Sequence, residues 1–176
     1  MPAAKPSRSY PVRAVLILFG LFAVLVFAVI PQAEASWMSG RAADASGTAY
    51  LAVLNDNDTG ERIELNCTPN GQAFLALTWR AARAGEPGQG GLTLRFVVDG
   101  SRRFAAPARF RQLDKGWAAA ELDTSDILGP LTEALSLGRS NFEIAVVQHG
   151  TTLATSLFDM DKAPENIGLY RSYCRM

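Results

Sequence analysis

The sequence predicts a mainly β fold: an antiparallel β-sandwich or barrel-like domain of about eight short strands with one short covering helix, after an N-terminal signal or transmembrane helix. Three observations predict it. Short runs rich in Val, Leu, Phe and Thr, alternating or continuously apolar, recur along the body of the chain. Clusters of Gly, Pro, Asn and Asp stand between them, the residues that reverse a chain tightly enough to pair neighbouring strands. Near the start, residues 14–30 carry no charge and consist of Val, Leu, Ile, Phe and Ala with one Gly.

That first segment has the layout of an export signal. Lys5, Arg8 and Arg13 form a basic region ahead of the apolar run. Pro31 stops the helix, and Ala33-Glu34-Ala35 supplies the small-x-small pattern a signal peptidase reads, so that cleavage leaves Ser36 at the new terminus. Residues 1–35 are therefore a signal peptide, with an uncleaved membrane anchor as the alternative because the run is at the short end of a bilayer span. Residues 36–176 form a single exported β domain, periplasmic or secreted. No Cys stands near the cleavage position for lipid attachment, and no adjacent Arg pair in the basic region marks the twin-arginine route.

In the exported part, strands are predicted at 48–54, 62–67, 73–80, 92–98, 108–113, 117–122, 141–148 and 152–159. The intervening turn clusters suit antiparallel hairpins, with 85–91 a Gly-rich hairpin loop. One stretch changes period: Ser125 and Asp126 precede Ile127, Leu128, Leu131, Leu135 and Leu137 at helical spacing, with Gly138 as a stop. A helix over 126–137 thus covers one end of the sheet, Gly129 and Pro130 fitting its first turn. A weaker helical pattern, with Pro164 near its start, spans 163–169.

Charge narrows the class of partner. With 17 basic and 17 acidic residues the chain has no global field to recruit nucleic acid or an anionic lipid surface. Setting aside Lys5, Arg8, Arg13 and Glu34, the exported part is weakly acidic. Cys67 and Cys174 are far apart and form no Cys-x-x-Cys pattern. An even pair in an oxidising compartment reads as a disulfide, tying a C-terminal tail that would otherwise fray from about Ile167 onward to an early strand.

No catalytic residue, cofactor or metal is assigned. Gly-x-Ser-x-Gly and Ser-x-x-Lys are both missing, and His149, before Gly150, reads as an exposed turn residue. Residues 55–60 resemble the opening of a calcium loop, but aligning Gly60 with that loop's glycine puts Asn55, Asn57 and Thr59 at the first ligand positions and Asn66 where a bidentate Glu belongs. A hairpin turn explains them better than a cation site. Asp99, Asp159 and Asp161 read as solvated strand ends rather than paired carboxylates. Trp79 and Trp117 read as core aromatics, and Trp37 as packing the new N-terminus onto the sheet. Arg102, Arg103, Arg109 and Arg111 offer either a solvated strand face or a docking patch for an acidic protein partner.

The order of segments carries a resemblance. Ile63-Glu64-Leu65-Asn66-Cys67, a strand ending in Trp79, Phe96-Val97-Val98-Asp99-Gly100, the Leu-rich helix, Ser156-Leu157-Phe158-Asp159-Met160 and the near-terminal Cys174 follow one another. Together they resemble the VasI-like family of type VI secretion-associated envelope proteins and its uncharacterised relatives, over about 63–174. The chain departs by having His149 and Gly150 where an aromatic is expected, and by an alanine-rich strand after Trp117. The resemblance implies an exported, disulfide-closed β domain and carries over no active site.

Two functions are expected from different classes. The first is a non-catalytic cell-envelope module that binds another envelope protein and touches the membrane only if residues 1–35 stay attached. The alternative is a small-ligand or carbohydrate-binding domain, or a hydrolase using His149, which a deep pocket walled by His149 or a tryptophan would favour.

Overall fold

The computed structural model describes residues 36–43, 47–80, 91–113, 116–122 and 126–176. The expected signal segment, with Ala33 and Ala35, and all of the Gly-rich loop except Gly91 lie outside them. The described chain contains β1 (Met38–Ala43), β2 (Ala49–Asp56), β3 (Arg62–Cys67), β4 (Ala73–Arg80), β5 (Leu92–Val98), β6 (Arg102–Gln112), β7 (Trp117–Leu122), α1 (Leu128–Ser136), β8 (Asn141–Gln148), β9 (Thr151–Asp159) and α2 (Ala163–Cys174). The fold is mainly β, and every strand pair is antiparallel.

The nine strands form one sheet in the order β1-β2-β3-β4-β7-β6-β5-β8-β9, curled into a half-barrel. Of the two expected arrangements, the barrel-like one is taken. Its two edges are tied at one end by side chains: the Trp37 indole N–H donates to the Asp159 carbonyl at 2.8 Å, and the Asn55 and Asn57 amides donate to Asp159 O and Leu157 O at 3.4 and 3.2 Å.

Two tight turns show why the hairpins sit where they do. Asp99 and Gly100, and again His149 and Gly150, all have positive φ, the mirror-image turn conformation whose twist matches that of paired strands. Asp-Gly is a favoured sequence for it. Strand periodicity then divides the faces. Val53, Ile63, Leu65, Leu75, Leu77, Leu94, Phe96, Ile144 and Val146 point inward and are fully buried. Phe142 lies at the centre of an aromatic group, 6.2 Å from Trp37, 6.0 Å from Phe96 and 6.3 Å from Phe158 between ring centroids.

The helices close the open side of the sheet. In α1, Leu128, Leu131, Ala134 and Leu135 recur at helical spacing and are buried. Just after it, a Cβ on Gly138 would stand 2.6 Å from Met160 Cε and 3.1 Å from Val98 Cγ1, so a side chain there would have to displace the end of Met160 and press on Val98. The C-terminal segment is a complete helix, longer than the predicted 163–169, because Asn166, Ile167, Tyr170 and Cys174 give it a buried face. The Asn166 amide donates to Trp37 O at 3.0 Å, the Tyr170 hydroxyl to Asn66 O at 3.3 Å, and Arg171 to Gly129 O at 2.9 Å. Burial of the Tyr170 phenol raises its pKa above the usual value. Cys67 and Cys174 are joined, with Cα atoms 5.9 Å apart and 107 positions between them in sequence.

Two strands differ from the sequence reading. β1, Met-Ser-Gly-Arg-Ala-Ala, has no β-branched or aromatic residue to signal a strand, and it forms by pairing along β2. β6 begins at Arg102 instead of Ala108, although arginines and Pro107 argue against a strand there. Among the described residues the pairing of β6 with β7 ends at Ala108 opposite Leu122, so Pro107 meets no described partner on that side for its missing N–H.

Candidate functional site

The outer face of β5, β6 and β7 gathers cationic side chains. Alternation along β6 sends Ala106 and Ala108 inward and Arg103, Arg109 and Arg111 outward, all three exposed. On β5, Arg95 lies opposite Ala105 on the same face and is exposed as well. From Arg103 to Arg111 the stripe runs about 27 Å along the strand. It has an internal anion: Glu121 on β7 lies opposite Arg109 and accepts an ion pair from Arg111 at 2.5 Å. Next to it, the Arg80 guanidinium stacks 4.9 Å above the half-buried Trp117 ring.

Arg102 is not part of this face. Its guanidinium donates to the Ala134 carbonyl at 3.2 Å, beside the Leu137 N–H on the same oxygen, at the C-terminal end of α1 where the helix dipole favours a cation. Three of the four arginines singled out in sequence are thus brought together, and Arg95 joins them. Period-two alternation of Thr93, Arg95 and Val97 between buried Leu92, Leu94, Phe96 and Val98 was the signal that could have found it.

The remaining candidates disperse. His149 is exposed on the turn between β8 and β9, and among the described residues no side-chain hydrogen bond or ion pair reaches its ring. Asn57 uses its amide oxygen to accept from the backbone N–H groups of Thr59 and Glu61 at 3.2 and 2.8 Å, while its amide nitrogen donates to Glu61 Oε2 at 2.7 Å. Those bonds make 57–61 a self-satisfied turn. Among the described residues no three His, Cys, Asp or Glu side chains cluster to hold a metal ion. Asp159 accepts from the Asp161 N–H at 2.9 Å, a local turn bond. Asp99 stands elsewhere: its carboxylate accepts from the N–H groups of Ser140 at 2.8 Å and Arg139 at 3.1 Å, and these bonds hold its pKa below the usual carboxylate range. Trp79 is a core residue as expected, and Trp37 is buried against the sheet; Trp117, expected in the core, is only half-buried, its ring lying under the Arg80 guanidinium.

Among the described residues, two surface grooves bear on the alternative function. One, of about 850 Å³, lies between the 57–61 turn and β9. The other, of about 410 Å³, is lined by Tyr50, Glu64, Asn66 and Phe74 on the outer face of β2, β3 and β4. Neither has His149 or a tryptophan on its wall. Comparison with protein-family models, with curated proteins and with solved structures gives no match to this chain.

Proposed function

We propose that this chain is an exported, non-catalytic cell-envelope module that binds another protein through the arginine face of β5 and β6. The observation that carries the reading is the convergence of Arg95, Arg103, Arg109 and Arg111 on one exposed face of a weakly acidic domain. Such a stripe steers and orients an acidic protein surface more than it adds raw affinity. Export is supported by the basic and apolar start of the chain and by the Cys67–Cys174 bond, which suits an oxidising compartment. A pocket walled by His149 or a tryptophan would favour the ligand-binding or hydrolase alternative, and neither of the two grooves described has one.

Charge reversal tests it. The tagged chain should retain a specific protein from envelope extract, and the double variant Arg103→Glu with Arg109→Glu should lose at least about tenfold of it at low salt. Recovery of no protein above background, or equal recovery by the variant, would overturn the reading.

A further inference from the structure

β9 is one edge of the sheet, and its backbone orientation can be read from its neighbours. The Asp99 N–H donates to the Asn141 carbonyl, so Asn141, Glu143 and Ala145 turn their backbone groups toward β5. Their partners on β9 are Asp159, Leu157 and Thr155, which therefore turn theirs to the free side. The side-chain bonds from Trp37 and Asn57 to the carbonyls of Asp159 and Leu157 arrive from that side and agree. Past the point where Asn57 docks, the N–H and C=O of Thr155 and the N–H of Leu157 have no partner among the described residues.

Edge strands are ordinarily protected by charge, proline or cover. Residues 151–158 contain neither a charged residue nor proline. Leu157 is 56% exposed beside the unpaired groups. The 850 Å³ groove runs along the same strand, and its charged lining residues are Asp58, Glu61 and Asp159, with no basic residue among them.

We propose that the free edge of β9 accepts an extended, basic segment of another protein as an added strand. Backbone bonds to Thr155 and Leu157 would supply its affinity, an apolar residue would cover Leu157, and Lys or Arg at alternate positions would face Asp58, Glu61 and Asp159. A second copy of this chain fits less well, because β9 itself offers no basic residue to that acidic rim. The site is separate from the arginine face and does not rest on it.

Amide hydrogen exchange and a phage-displayed random-peptide library test the proposal on the full chain. In the free protein the amides of Thr155 and Leu157 should exchange quickly, while those of Ala154 and Ser156, which face β8, should be protected. Clones enriched on the immobilised chain should carry Lys or Arg alternating with apolar residues, and a synthetic peptide from them should slow exchange at Thr155 and Leu157 by about tenfold or more. Thr155→Pro removes the outward N–H without taking a donor from the pairing with β8 and should abolish capture. If that variant misfolds, Leu157→Lys, which places a like charge on an exposed position, should reduce capture by about tenfold or more. Protected Thr155 and Leu157 amides in dilute free protein, no enrichment, clones without basic residues, or capture indifferent to the variants would each overturn it. So would protection of the same amides that grows with protein concentration, which would assign the edge to self-pairing.

Discussion

Asp99 serves a turn and a loop at once. Its positive φ lets the chain reverse between β5 and β6, and its carboxylate holds the N–H groups leading into β8. Because these bonds lower its folded pKa, unfolding at acid pH takes up a proton. The stabilisation is complete above the unfolded carboxylate value of about 4 and is lost as pH falls through the folded value. Asp99→Asn keeps a residue suited to the turn while removing the charge. Denaturant titrations from about pH 5 to about pH 3 should therefore show a flatter acid limb for the variant than for the parent. At the core, Phe142→Ala takes away the ring that three other aromatics contact and should cost about 3 to 5 kcal/mol in the same titration.

At the scale of elements, the decisive joint is between α2 and the sheet. Cys174 ends the helix and Cys67 ends β3, so the bond fastens the last turn to the end of the third strand in the sheet. For a loop of about 100 residues the chain-entropy model assigns on the order of 4 to 5 kcal/mol to such a link. Reduction, or Cys67→Ser with Cys174→Ser, should lower unfolding stability by up to about that amount. Ile167 and Tyr170 are fully buried, so after the bond is cut exchange protection at these two residues should outlast protection at Tyr173 and Cys174. Simultaneous loss along the whole helix would contradict this division. The sequence reading located β3, β4, β5, β7 and β8 at their observed bounds, because there apolar residues alternate between clear turn signals. It missed β1, whose small residues carry no local preference, and the front of β6, where Pro107 and two arginines hide a strand that neighbouring β5 specifies.

At the scale of the molecule, what could not be read from the sequence is closure. A half-barrel arises because Trp37, Asn55 and Asn57 reach carbonyls on β9 at separations of 122, 104 and 100 positions, and no local pattern announces those bonds. The candidate surface shows the same division. Arg109 and Arg111 were legible together because they alternate on the predicted strand, whereas Arg103 was grouped with them only by nearness in sequence and joins them because β6 starts earlier. Arg95 came to them through the pairing of β5 with β6, and Arg102 left them for the end of α1. The binding claim is tested most directly by site-specific photo-crosslinking in the native envelope. Ala105 is exposed in the middle of the arginine face and opposite Arg95, so a photo-reactive residue there leaves every guanidinium in place. Gln72, exposed at the turn between β3 and β4, serves as the control position. A discrete protein adduct from position 105, with none from position 72, is the predicted result; no adduct from position 105, or the same adducts from both positions, would contradict the account.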